Sequence, residues 1–188
     1  MREVPKAVKF CYHQGMGLLK NLGTALMIVI LIAGFWFVYD NWSWIQSDFF
    51  QVYGNVPNFR LQDYLGRYHV LSEFAGYPLV INVWQADNPF AAEELRAFAD
   101  IQLERGNKIV IIAINRGEPL SLAKGFTDKL GVTGNIIFLM DLSDSFYKAL
   151  GGFQMPETLF INKEGRMVDR KHGPMKMPEI KQRIERIL

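Results

Sequence analysis

Between Lys20 and Asp40 the chain carries 40 − 20 − 1 = 19 consecutive uncharged residues, dominated by Leu, Ile, Val and aromatic side chains. At about 1.5 Å of rise per residue, such a run approaches the ~30 Å hydrocarbon core of a bilayer, so residues 21–40 predict one spanning helix. Beyond it the pattern breaks into short segments. Residues 59–84 read as a hairpin, with a turn near Gly66, leading into an apolar strand over Leu79–Trp84. A helix follows, capped by Asn88, with Pro89 as its first residue and Ala91, Leu95 and Phe98 at helical spacing, and it ends near Gly106. Residues 108–115 are continuously apolar from Ile109 to Ile114, as a strand covered on both faces would be. Leu122, Phe126 and Leu130 set a helix over 119–130, closed by Gly131. A strand at 135–141 then precedes a short helix capped by Ser143 or Asp144. The strand through 155–162 turns at 163–166 into 167–173, and Pro178 opens a last helix whose Ile180, Ile184, Ile187 and Leu188 form an apolar stripe. Strands and helices that alternate in this way predict an α/β domain, a central sheet with helices on both faces behind an N-terminal β-hairpin.

Composition and charge narrow the picture. The 188 residues hold 21 Lys and Arg against 19 Asp and Glu, a balance that points to no nucleic acid partner. The arm before the apolar run carries Arg2, Lys6, Lys9 and Lys20 against Glu3, or +4 − 1 = +3, which predicts a cytoplasmic N-terminus. Trp36, Tyr39, Trp42 and Trp44 crowd the far end of the run as an interfacial belt. No small-x-small cleavage site follows it, so the segment reads as a retained anchor rather than a signal peptide. The resulting map is a cytoplasmic arm at 1–20, a transmembrane helix at 21–40, an aromatic linker at 41–55 and a domain at 56–188 on the periplasmic or extracytoplasmic side. One cysteine, Cys11, excludes an internal disulfide and every cysteine-based zinc cage. In the basic arm, beside His13, it reads as a small residue on the reducing side of a membrane.

The strand, turn and helix around residues 80–95 resemble the thioredoxin-like fold, and most closely the membrane-anchored TlpA/ResA-type thiol–disulfide oxidoreductases. Val56, Pro57, Phe59, Asp63, Gly66, Asn82 and Trp84 match that family's opening pattern, and 155–161 looks like its cis-proline segment. In the family a Cys-x-x-Cys pair sits at the helix start. Here those positions fall on Asn88 and Ala91, with Pro89 and Phe90 between them, so neither sulfur is present. Thiol–disulfide exchange needs a thiolate to attack and a second thiol to resolve the mixed disulfide, and an amide side chain replaces neither. The resemblance implies a peptide groove formed by Trp84, Asn88, Pro89, Phe90, Met155, Pro156 and Glu157, with a cis bond at Pro156. A trans proline opening a strand is the other reading, and Glu157 would set a negative charge beside that groove.

The remaining candidates are weaker. His172, Met175 and Met177 form a soft set that suits Cu(I), against which stands methionine's ordinary use as a core filler, so no metal is expected. Glu93, Glu94, Asp100 and Glu104 read as a solvated helix face, and His69 as a solvated strand residue. The surplus of basic residues over 163–188, 8 against 4 acidic, also reads as a solvated face. Phosphate loops, zinc-protease and haem motifs and a serine nucleophile elbow are absent from the sequence. The functional expectation is therefore a redox-inactive accessory subunit, needing no cofactor and taking no small-molecule substrate, whose partners are the bilayer and the subunits of a membrane protein complex. The alternative is an oxidoreductase-related protein of cytochrome maturation or envelope redox upkeep.

Overall fold

The computed structural model describes residues 27–36, 56–152 and 154–188. They fall in two compact units, Met1–Asp48 and Phe49–Leu188. In the first, residues 27–36 are helical, and the large apolar side chains from Met27 to Trp36 are all more than half exposed. Among the described residues no helix is long and apolar enough to cross a membrane. The rest of the expected span, the linker with Tyr39, Trp42 and Trp44, and the arm with Cys11 lie outside the described residues.

The second unit is built on a seven-stranded sheet. Its strands are β1 (Arg60–Asp63), β2 (Tyr68–Val70), β3 (Leu79–Trp84), β4 (Val110–Arg116), β5 (Ile137–Asp141), β6 (Glu157–Ile161) and β7 (Met167–His172), in the order β2-β1-β5-β4-β3-β6-β7. β3, β4 and β5 run parallel and the other pairs antiparallel, a mixed sheet. The β1–β2 turn closes on Gly66, at φ 79°, a conformation glycine adopts without a Cβ clash. Asp63 secures the same turn by accepting the Leu65 and Arg67 amides at 2.8 and 2.9 Å. His69, expected to be solvated, is half-buried. Its ring bridges Glu73 Oε2 at 2.9 Å and Asp63 Oδ2 at 3.4 Å across the hairpin.

All six residues of β3 are buried, so its alternation feeds two cores rather than one core and solvent. Val80 and Trp84 enter a core with α1 (Ala91–Arg105), α2 (Leu120–Leu130) and α4 (Met177–Ile184). Leu79, Ile81 and Val83 enter the other, with Phe146 and Tyr147 of α3 (Ser145–Ala149) and with Leu71 and Phe74 of a 3-10 turn. Three differences from the sequence reading have simple causes. Leu122 is 50% exposed, because α2 is rotated so that the small side chains of Ala123 and Thr127 meet the sheet. Neither Ser143 nor Asp144 caps α3 through its side chain; Asp141, at the end of β5, accepts the Ser145 and Phe146 amides at 2.9 Å each, which places a carboxylate where the orphan donors point. The last helix opens one residue earlier, at Met177, with Pro178 inside its first turn.

Candidate functional site

The parallel strands all end on one edge, and the loops leaving them build the site. After Trp84 the chain turns through residues 85–90. The Asn88 amide donates to Gln85 O at 3.2 Å, and Asn88 Oδ1 accepts the Phe90 amide at 2.9 Å. Regular helix therefore begins at Ala91, two residues later than expected: Asn88 caps the turn that leads into α1, and Phe90 stands at the helix's own cap position. The turn is held from the next loop. Glu118, 8% exposed, takes the Ala86 amide on both oxygens at 2.9 and 3.1 Å and the Asn115 Nδ2 at 2.6 Å. Leaving a buried amide without its acceptor costs about 1–3 kcal/mol. Glu118→Ala is thus expected to destabilise the domain by about that amount and to speed hydrogen exchange at Ala86, which mass spectrometry of the exchanged peptide would read; an unchanged rate would show that the strut is dispensable.

Facing the turn, the Met155–Pro156 bond is cis, as the resemblance implied. Pairing of β3 with β6 sets Val83 opposite Glu157, which brings Pro156 to the end of β3 where the 85–90 turn departs. Gly173 N–H donates to the Pro156 carbonyl at 2.8 Å and ties the following strap to it. The seven expected groove residues separate by exposure. Asn88, Pro89, Phe90 and Met155 reach the surface, Phe90 with 45% of its area. Pro156 is buried behind them. Trp84 is wholly buried, its ring stacked on Phe126 at 5.7 Å, and is a core residue rather than a groove wall.

Glu157 also departs from expectation. It puts no charge beside the groove, because strand alternation turns its side chain to the α3 face, where it is 0% exposed and paired with the Arg170 guanidinium. Arg170 in turn donates to Leu150 O at 3.1 Å. His172 faces the same side, with Nδ1 3.4 Å from Glu157 Oε1, whereas Met175 is buried in the opposite core and Met177 packs against that core. The sheet thus separates the histidine from the two methionines. Among the described residues no group of three or more His, Cys, Asp or Glu is placed to hold a metal ion.

The acid the sequence reading missed is Glu94. Expected on a solvated face, it is 1% exposed and points inward beneath Ala91. Met175 N–H donates to its Oε1 at 2.7 Å, and Asn82 Nδ2 lies 3.4 Å from its Oε2. Burial pushes its carboxyl up to about 7, although the Met175 and Asn82 donors and Lys171 favour the anion. Two signals in the sequence pointed to it. Glu94 follows Ala91 by three residues and precedes Phe98 by four, so it shares their inward face, and Asn82 interrupts an otherwise apolar strand and needs a polar partner. Among the described residues this edge offers the surface of Asn88, Pro89, Phe90 and Met155, with the buried carboxyl of Glu94 below it.

Comparison with known proteins agrees with this geometry. The Redoxin family profile matches residues 51–186, and the chain belongs to that family, as a thioredoxin-like protein of the TlpA/ResA type. It is 27% identical over 165 residues to the thiol-disulfide oxidoreductase ResA of Geobacillus thermodenitrificans, covering 87% of this chain and 93% of that one. Against ResA of Bacillus subtilis it is 27% identical over 128 residues, covering 64% of this chain and 67% of that protein. Among solved structures, dsbF of MTB superposes with a TM-score of 0.66 at 18% identity, over 72% of this chain and 99% of that one. StoA of Bacillus subtilis superposes with a TM-score of 0.58 at 15% identity, over 68% and 96%. At such identities the structural likeness is one of fold.

Proposed function

We propose that this chain is a redox-inactive member of its family, anchored in the membrane through residues 21–40, whose domain at 56–188 serves as a binding or structural accessory subunit of a larger membrane protein complex. One observation carries the reading: residues 88–91 are Asn-Pro-Phe-Ala, and the only thiol of the chain is Cys11, in the N-terminal arm. An intact frame without its nucleophile can hold a polypeptide but cannot trade disulfides with it. Supporting the anchor are the 19 uncharged residues, the basic arm before them and the aromatic residues after them, an arrangement that favours an N-terminus in the cytoplasm and a domain outside. The surface offered to a partner is Asn88, Pro89, Phe90 and Met155. In-membrane cross-linking followed by mass spectrometry is expected to join residues near Phe90 and Met155 to another membrane protein, and mild detergent should extract the two together. Extraction as a lone monomer, with no cross-linked neighbour, would remove the subunit reading.

The second reading, a thiol–disulfide oxidoreductase of cytochrome maturation or envelope redox upkeep, is favoured by the named activity of its ResA relatives. It requires the missing sulfurs to come from a partner.

A further inference from the structure

The end of the sheet opposite the groove carries exposed apolar side chains and unpaired positive charge together. β3, β4 and β5 begin there, at Leu79, Val110 and Ile137. Pairing of Leu79 with Ile161 brings the β6–β7 turn at 162–166 to the same end, and pairing of Asp63 with Leu139 brings the β1–β2 turn at 64–67. α1 and α2 also finish there, since each runs back from the end of one parallel strand to the start of the next. Leu65, Tyr77 and Leu103 stand out from this surface, 76%, 50% and 66% exposed. They are not scattered. Tyr77 and Leu103 line one cleft, Leu65 lines a second, and the two clefts share Gly134, Ile136 and Ile137. Around them Lys108, Lys129, Lys163 and Arg166 are exposed, and among the described residues none of the four has an ion-pair partner. Three exposed acids nearby are already held, Glu104 by Lys181, Asp128 by Lys124 and Glu185 by Arg105, whereas Glu164 pairs with no base among the described residues.

A lone exposed leucine needs no explanation, because folded surfaces are more than half apolar. Three large apolar side chains around joined clefts, ringed by basic groups, form a different pattern. Surfaces that sit on lipid have it, with apolar groups entering the head-group region and Lys and Arg meeting anionic phosphates. We propose that this end of the domain rests on an anionic lipid bilayer, with Leu65, Tyr77 and Leu103 at the interface and Lys108, Lys129, Lys163 and Arg166 on its phosphates. A polypeptide fits less well, because lysine is depleted from protein interfaces and three of these four bases are lysines. The proposal rests on the membrane-anchored reading above and adds which face turns to the bilayer. Residues 41–55, or 55 − 41 + 1 = 15, extend to at most about 50 Å between the expected span and the domain, so lipid stays within reach and a weak attraction is enough to hold the surface down. The groove, at the opposite edge of the sheet, is then turned away from the lipid and left free for a polypeptide partner.

The test uses the full chain with Cys11→Ser, carrying a fluorescent dye on a single introduced cysteine, in vesicles that contain lipid with a nitroxide head group as quencher. Asn107→Cys places the dye beside Lys108, and Glu93→Cys places it in the first turn of α1, near the groove. In vesicles of equal parts phosphatidylcholine and phosphatidylglycerol, the dye at position 107 is expected to be quenched strongly and that at position 93 weakly. In phosphatidylcholine alone the excess quenching at 107 should be lost, as it should at about 1 M salt, where the Debye length is about 3 Å. Lys108→Glu/Lys163→Glu/Arg166→Glu, three changes at exposed positions, should lose it too. Equal quenching at the two positions in the mixed vesicles would overturn the proposal, and so would an excess at 107 that ignores both lipid charge and the triple reversal. A dye at 107 that is unquenched in the mixed vesicles but shielded in native membranes would assign this end to a polypeptide partner and overturn it as well. Alkaline carbonate extraction reads the anchor separately. Release of the chain would overturn the anchored reading, and the quenching excess would still decide the lipid-facing surface; retention with equal quenching would overturn that surface alone.

Discussion

Replacing Arg170 with methionine is expected to cost about 3 kcal/mol of unfolding free energy, near the lower end of what breaking a buried ion pair costs. The cause is Glu157, which has no exposed surface and has Arg170 as its guanidinium partner, with one carboxylate oxygen already lacking any hydrogen bond among the described residues. Arg170 is itself 27% exposed at its side chain, which keeps the expected loss from reaching the upper end of that range. Removing both charges should undo most of the damage, because the desolvated carboxylate goes with its partner. Glu157→Leu combined with Arg170→Met is therefore expected to be markedly more stable than Arg170→Met alone. Urea unfolding followed by near-ultraviolet circular dichroism would measure both. A single variant within about 0.5 kcal/mol of wild type, the range of ordinary surface changes, would mean that Glu157 is solvated after all.

The second large effect is a dependence of stability on pH. Glu94 carries a raised carboxyl, about 7 in the fold against 4.5 for an ordinary glutamate, so the folded state binds its proton more tightly than the unfolded chain does. Its contribution is fully present below pH 4.5 and is lost as pH rises through about 7. The gap between those two values corresponds to about 3 kcal/mol. Asp63 works in the opposite sense and in another window. Burial pushes its carboxyl up, but donation from the Arg67 backbone and side chain, the Leu65 amide and His69 outweighs that and holds it at about 2 against 3.8. What it contributes is present above 3.8 and lost as pH falls through about 2, so the Glu94 decline stands clear of it. Unfolding curves at intervals from pH 4.5 to about 8 should fall in wild type and stay nearly level in Glu94→Gln. A parallel fall in both would assign the effect to another group.

Much of the fold was legible because its central strands, β3 to β6, are buried on both faces. Runs such as Leu79–Trp84, apolar but for Asn82, and 109–114 show no alternating polar face to confuse the pattern, and the turn at Gly66 and the cap at Gly131 punctuate it. The vacated helix start was legible too, since it is a matter of which atoms residues 88–91 possess. What escaped was the placement of charge. The sequence puts Glu94 on a solvated helix face and Glu157 beside the groove, because pattern and resemblance say which residues lie near one another, not how deep each side chain is buried. Each is buried because tertiary neighbours supply partners far away in sequence: Arg170 for Glu157, and the Met175 amide and Asn82 for Glu94. Trp84 was drawn into the groove by its position beside the turn, although alternation along β3 sends it to the core with Val80. The copper set failed in the same way, as three residues close in sequence were sent to opposite faces by the end of β7.

We propose that a thioredoxin-like frame without sulfur at positions 88 and 91 exchanges no disulfides. Insulin reduction in the presence of dithiothreitol tests it most directly, with the full chain, with Cys11→Ser, and with Asn88→Cys/Ala91→Cys as the variant that returns both thiols. The wild-type chain and Cys11→Ser are expected to leave the dithiothreitol rate unchanged, while the double-cysteine variant accelerates it. Acceleration by wild type that persists in Cys11→Ser would contradict it.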